Sequence, residues 1–276
     1  MGAAAILKKG GQYLGIILLL AFFVTPLAWM VSTSFKSAAE IYTANGPFFP
    51  THWTLKNYQV AFAAGLGRMF VNSTIVAVST TVVSLLFAVL SSYAVSRLIF
   101  RGRRMILVSM ILSQLIPLSV LIVPIYQIMA RLNLLDQFPS LVIAYLTFSI
   151  PVAVWFLRSF FLSVSPEIEE AARVDGCSLF QAFMRVVIPL IVPGLAATGI
   201  YVFVTVWQEL MFAITFLTTP AKYTLPAGVI LFIGQHGTNY GAVMAAATVM
   251  SIPPSVLFLL MQKRLISGFA SAGGIK

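Results

Sequence analysis

Seven acidic side chains occur in this chain of 276 residues, and four of them, Glu167, Glu169, Glu170 and Asp175, fall in one short stretch. Carboxylates that close could serve acid–base chemistry or hold a metal, but the groups that would complete such a site are missing. His52 and His236 are the only histidines, far apart and each in polar surroundings, and Cys177 is the single cysteine. Neither a catalytic set nor a metal site is therefore expected. The sequence also lacks a Gly-x-x-x-x-Gly-Lys-Ser/Thr phosphate loop, so hydrolysis of ATP by this chain is not expected. What the acidic stretch can do is recognition, because charges beside aromatics such as Phe180 and Phe183 make a surface that a partner's groove can grip. Another acid, Glu209, stands alone in a long apolar run, where a carboxylate is costly and is a functional candidate by default.

Composition sets the elements that must carry these groups. Sixty per cent of the residues are hydrophobic and 9 % charged, against roughly 25 % charged in a soluble domain. So few charges could not cover a water-exposed surface, and lipid is the natural solvent. Apolar runs of the length a membrane helix needs, about 20 residues, lie at about 13–34, 71–96, 105–130, 139–161, 190–219 and 241–262, with Arg158 near the end of the fourth and Glu209 inside the fifth. The chain is expected to be an all-α integral membrane protein of about six transmembrane helices, forming one membrane domain over 1–276. Lys8 and Lys9 before the first run imitate a signal peptide, but no small-residue cleavage site follows, which points to an uncleaved helix. The apolar stretch Tyr223 to Ile233 is too short to span and reads as re-entrant or interfacial.

The net charge of +10 would suggest nucleic acid in a soluble protein. Here the basic residues sit in short clusters between apolar runs, which marks membrane topology instead. With the N-terminus inside, twelve of the seventeen Lys and Arg face the cytoplasm and five face out, the cluster Arg101, Arg103 and Arg104 being the strongest signal. Both termini are then cytoplasmic.

On this topology the stretch 163–189, between the fourth and fifth spans, is the longest cytoplasmic connection. Local signals make it two short helices. Ser165 is an N-cap and Pro166 suits the first helical position. Glu167, Glu169 and Glu170 favour the helix N-terminus electrostatically, Gly176 supplies a left-handed stop, Ser178 starts a second helix and Pro189 ends it. An amphipathic hairpin lying on lipid headgroups would be basic on its polar face, and this first helix is acidic. Docking of a protein partner is the better reading.

The residues of this stretch carry a resemblance. Glu170-Ala171-Ala172, three residues, Gly176, nine residues, then Val186-Val187-Ile188-Pro189 resembles the "EAA" loop of permease subunits of bacterial ABC importers. The flanks, together with Trp53 to Tyr58, Phe70 to Ser73, Ser92 to Arg97 and the tail Ile266 to Lys276, resemble the carbohydrate (maltose-type) branch. The resemblance implies a subunit of the bacterial cytoplasmic membrane whose loop docks on a separate ATP-binding subunit, present as a dimer that binds the ATP and Mg. Glu170, Ala171 and Gly176 would be central to the contact, with small Ala171 and Ala172 allowing close approach, and Glu169, Asp175, Phe180 and Pro189 completing the docking set. It implies a second permease subunit, most simply a different chain, an extracellular or periplasmic solute-binding protein and a sugar as the solute. Another polar solute, such as a glycerol phosphate ester or a polyol, is the alternative. The tail after Arg264 would reach between the ATPase subunits or be a free terminus, and the polar segment Gly234 to Gly241 would face the binding protein or be an ordinary loop.

For the pathway itself, Trp207 and Gln208 could stack on and hydrogen-bond a sugar beside Glu209, or could hold the interface with the partner permease. Asn72 and Ser73 could be pathway groups or interhelical hydrogen bonds. A membrane-embedded enzyme would need a catalytic cluster at membrane depth, where only Glu209 is charged. A secondary carrier would need internal repeats or relay charges, and neither is evident.

Overall fold

The apolar runs fold into long helices because a chain surrounded by lipid must satisfy its backbone N–H and C=O groups internally. A computed structural model describes residues 2–44, 46–234 and 237–272, with side chains described for 11–44, 46–233 and 237–262. The helices run α1 (Gly2–Ser34), α2 (Ala38–Ile41), α3 (Lys56–Ala63), α4 (Leu66–Arg97), α5 (Arg103–Gln114), α6 (Leu118–Arg131) and α7 (Phe138–Ser163). They continue with α8 (Pro166–Val174), α9 (Leu179–Ala182), α10 (Ile188–Leu190), α11 (Val192–Trp207), α12 (Met211–Phe216), α13 (Leu225–Val229) and α14 (Tyr240–Ala272). Among the described residues the one extended pairing is a two-residue hairpin, Ile233↔Thr238 and Gly234↔Gly237.

Among the described residues five stretches are long and apolar enough to cross a membrane: Gly11–Ser34, Leu66–Arg97, Phe138–Ser163, Leu179–Trp207 and Tyr240–Gln262. A sixth crossing exists only if α5 and α6, bent by 102° across a short break, count as one. The uncharged run 105–130 is thus not one helix. Pro117 stands at the break with an extended backbone (φ −57, ψ 133), since proline has no N–H to donate and pushes the residue before it away from helical geometry.

The fifth run departs from expectation at both ends. Pro189 does not end a helix there. A π turn over Phe183–Val187, with Ile188 N–H donating to Phe183 O, widens the coil just ahead of it, so that Pro189 falls at the start of a short α segment where its missing N–H costs nothing. The chain then stays helical to Trp207, breaks over Gln208–Leu210 and resumes as α12.

The described residues fall into two compact units. The first, 1–67 with 228–252, joins the end of α1 to the segments after it. Ser37 and Glu40 form a capping box on α2, and Glu40 also accepts from Thr51 N–H at 2.8 Å. The Thr51 hydroxyl, then the backbone and side chain of Ser37 and the Thr51 N–H, pull the Glu40 carboxyl down to about 2. Lys36 is buried with its ammonium 3.8 Å from the centre of the Trp29 ring, and desolvation lowers its pKa despite nearby Glu40. Asn57 donates to the carbonyls of Ser34 (3.0 Å) and Lys36 (2.8 Å). Along α1, Leu20, Phe22 and Phe23 lie exposed, as apolar side chains of a lipid-facing helix do.

The second unit, 68–227 with 253–276, holds the central packing: α7 lies against α11 and α5, with Leu141, Ala144, Tyr145, Ala153, Val154, Leu157 and Phe161 buried along it. Small residues let the helices approach. A Cβ added at Gly194 would collide with the Phe160 ring, and Ser84 and Ser149 share a buried hydrogen bond of 2.7 Å. Between α6 and α7, Asp136 accepts from the N–H groups of Thr218 and Thr219 (3.0 Å each), from the Thr219 hydroxyl (2.7 Å) and from Lys222 Nζ (2.9 Å). Desolvation opposes ionisation of that carboxyl, but the Thr219, Lys222 and Thr218 hydrogen bonds outweigh it and hold the pKa well below the usual range.

Two outcomes follow. Gly194→Val overpacks the α7–α11 contact and lowers stability by about 1–3 kcal/mol, measurable as a fall in unfolding temperature in detergent; Phe160→Ala in the same chain recovers part of the loss. Because the folded-state pKa of Asp136 is depressed, its contribution is present above the unfolded value of about 4 and is lost as the pH falls toward the folded one. Asp136→Asn is therefore less stable than the parent at neutral pH, and the difference closes below about pH 4; a constant difference down to low pH contradicts the latch.

Candidate functional site

The loop 163–189 folds as its caps dictate. Ser165 accepts from Glu167 N–H, and Pro166 occupies the first turn of α8. Gly176 ends the helix at φ +93. Cys177 N–H returns to Ala172 O (3.0 Å) and Gly176 N–H to Arg173 O (3.1 Å), the paired bonds of a Schellman ending. A Cβ at Gly176 would meet nothing within 4 Å, so it is the backbone conformation that asks for glycine there. Ser178 and Gln181 then form a capping box that starts α9.

The two faces of this loop differ. Glu170, Ala171, Asp175, Gly176, Phe180 and Pro189 are exposed and Ala172 half-exposed, with Val174 at 87 % and Phe180 at 69 %. Glu170, Arg173, Val174, Cys177, Ser178 and Leu179 line an open hollow of about 430 Å³ on the loop. Glu169, grouped with the docking residues from sequence, instead points inward and is 7 % exposed. Tyr93 donates a short hydrogen bond to its Oε1, and Arg97 Nε lies 3.4 Å from its Oε2. Sequence reasoning missed these two partners. The available signal was a tyrosine and an arginine one helical turn apart at the end of a long apolar run.

At the other candidate site the structure brings Glu209 to the break between α11 and α12. Its carboxylate accepts from Phe212 N–H (3.1 Å to each oxygen) and Ala213 N–H (3.4 Å), and from the buried Tyr145 hydroxyl at 2.7 Å. Glu209 is thus a cap for a helix that restarts. Trp207 is buried, stacked on Phe203 (centroids 5.4 Å apart, 20° between planes) and edge-on to Phe70 at 5.5 Å. Gln208 is exposed and lines, with Thr205, Tyr201, Ser159 and Phe156, an apolar cavity of about 630 Å³. Asn72 lies apart from this group; it donates to Ala221 O (3.0 Å) and Tyr223 O (2.9 Å), while Ser73 Oγ accepts from Leu225 N–H (2.7 Å). The pair ties the segment 221–225 to α4. The side chains of the tail 266–272, the residues 273–276, and Gln235 and His236 in the polar segment lie outside what the structure describes. Among the described residues no cluster of three or more metal-ligating side chains occurs.

The family described as "Binding-protein-dependent transport system inner membrane component" matches residues 90–270, a range that takes in the whole loop. The chain belongs to this family. The permease is 36 % identical over 96 % of its length to the sulfoquinovosyl glycerol transport system permease of Agrobacterium fabrum, covering 93 % of that protein. It is 36 % identical to a diacetylchitobiose uptake permease of Streptomyces coelicolor and 32 % identical to the trehalose transport permease of Mycobacterium tuberculosis, covering 94 % of each pair. In fold it is similar to a chain of a bacterial ABC transporter involved in alginate import, with a TM-score of 0.79 at 22 % identity over 95 % of the permease and 98 % of that chain.

Removing the acceptor at the break tests the cap. Glu209→Ala leaves the Tyr145 hydroxyl and the Phe212 N–H unpaired and costs about 2 kcal/mol; Tyr145→Phe, which frees only one acceptor site, costs about half as much. Thermal unfolding of the purified permease in detergent reads both, and a Glu209→Ala chain as stable as the parent rules the cap out.

Proposed function

We propose that this permease is the translocation subunit of an ATP-driven, binding-protein-dependent sugar importer, and that the loop 163–189 is where a separate ATP-binding subunit docks on its cytoplasmic side. The observation that carries the reading is the loop itself: two capped helices presenting Glu170, Ala171, Gly176 and Phe180 outward on a helical membrane scaffold. Small Ala171 beside exposed Phe180 gives a partner both a place for close approach and an aromatic anchor. The bias of basic residues supports an orientation with both termini inside. Relatives named for sulfoquinovosyl glycerol, diacetylchitobiose and trehalose support a sugar as the solute.

Hydrolysis of ATP, with its Mg, belongs in this reading to the partner dimer; a second permease chain and a solute-binding protein outside complete the importer. Gln208, on its apolar cavity beside Tyr201 and Thr205, is the pathway residue best placed to meet sugar hydroxyls, with Trp207 and Glu209 its neighbours in the chain, whereas Asn72 ties the segment 221–225 to α4.

Docking is tested by Glu170→Lys and Gly176→Asp. Both leave the permease in the membrane and weaken association with the ATP-binding subunit by about thirtyfold, equivalent to losing one contact of about 2 kcal/mol. Co-purification of that subunit and cellular uptake of labelled trehalose, diacetylchitobiose and sulfoquinovosyl glycerol are the measurements. Normal association in both variants refutes the docking surface, and uptake of none of the three sugars by the parent removes the support for the solute class.

A further inference from the structure

Glu169 and Glu170 are neighbours in sequence and face opposite ways. Glu170 lies on the open surface, while Glu169 is enclosed by α4. Of Tyr93 and Arg97, one turn apart at the end of α4, the first donates to one oxygen of that carboxylate and the second lies at ion-pair distance, 3.4 Å, from the other. Arg97 does more: its Nη2 donates at 2.7 Å to the carbonyl of Val164, the first of the two extended residues that join α7 to α8. One guanidinium therefore grips both the joint entering the loop and the first loop helix. The Tyr93 ring packs against Phe183 (4.6 Å) at the start of the π turn and against Phe161 (5.9 Å) near the end of α7. The ion pair is shielded, the Arg97 and Glu169 side chains being 10 % and 9 % exposed.

We propose that Tyr93, Arg97 and Glu169 are the internal linkage that carries movement of the loop into α4, so that Arg97 and Glu169 are positioning residues for coupling and not part of the docking face. The proposal rests on the reading of the loop as the ATPase contact. Replacing a buried ion pair by apolar side chains is often neutral or stabilising, whereas its geometry is specific; its value here is that it fixes one arrangement of loop and helix. A push on the exposed side of α8 reaches α4 through a side chain one residue from the pushed surface, without first deforming α7. Exposed loop and enclosed linkage share the same short helix.

The test uses the complete complex, purified through this chain with its ATP-binding subunits, and reads hydrogen exchange with and without ATP plus vanadate, which needs no solute. In the parent, nucleotide trapping changes exchange both in 163–189 and in α4. In Glu169→Gln and Arg97→Met the loop response persists, since the docking face is intact, while the response of α4 falls by about tenfold, a usual size for coupling between sites. Tyr93→Phe, which removes only the hydroxyl, gives a smaller fall. A merely structural role lowers the yield of complex and leaves the α4 response of the assembled fraction unchanged; that result overturns the proposal, as does a parent whose loop responds and whose α4 does not. Where a single variant fails to assemble, Arg97→Met with Glu169→Met leaves no uncompensated buried charge: an assembled complex with a silent α4 supports the linkage, and one with a responsive α4 overturns it. A parent loop that shows no response, or a Glu170→Lys loop that responds as the parent does, is a failure of the docking reading instead.

Discussion

A helix that breaks inside an apolar medium must find protein partners for every backbone group it releases, because no water is there to take them. Much of what distinguishes this permease answers to that constraint. The break after Trp207 frees the first N–H groups of α12, and Glu209 turns back to accept them. An amide or hydroxyl could have capped one donor; a carboxylate reaches Phe212, Ala213 and the Tyr145 hydroxyl together. Between α5 and α6 the last turn tightens, Leu115 N–H donating to Leu112 O at 3.1 Å, and the next begins with Val120 N–H on Pro117 O at 3.0 Å. The segment 221–225 gives its carbonyls to Asn72 and an N–H to Ser73.

The loop 163–189 obeys the opposite economy. Its helix ends are closed by their own residues: Ser165, the Ser178–Gln181 box and the Gly176 ending all act within a turn. Short helices of this length are marginal in water, so local closure is what lets them hold shape while leaving a face uncommitted. Tertiary contact is confined to the inner side, where Glu169, Ala182 and Phe183 are buried.

This difference also explains what could be read from sequence. Apolar runs and caps are local signals, so the helical membrane class and both loop helices were legible, down to Ser165, Gly176 and Ser178. Breaks were not, because counting charges over 105–130 or 190–219 cannot see Pro117 or the restart after Leu210. Nor could the partners be read. Glu209 stood out as costly, but Tyr145 is 64 residues away in the chain and becomes its donor only once α7 packs nearby. Glu169 and Glu170 look alike in sequence; helical periodicity separates their directions, and only the position of α4 decides which one is enclosed. Trp207 looked like a stacking platform, and its ring is occupied by Phe203 and Phe70.

The two arms of the loop are attached in different ways. The second arm is helical apart from one turn residue: from Leu179 the coil passes through the π turn, Pro189 and Ile191 (φ −96, ψ 5) to Trp207, so a displacement at Phe180 is carried along one mainly helical path. The first arm meets α7 through Val164 and Ser165, whose extended backbones (φ −87, ψ 121 and φ −60, ψ 133) interrupt the helix. Two extended residues transmit little bending force by themselves. It is at this joint that Arg97 bonds the Val164 carbonyl and approaches Glu169, while Tyr93 touches the root of the second arm at Phe183. The ionic contact lies where the backbone is weakest, and the mainly helical arm needs no such contact. Any load on the loop therefore enters the membrane part by two routes, one through covalent helix and one through three side chains of α4 and α8.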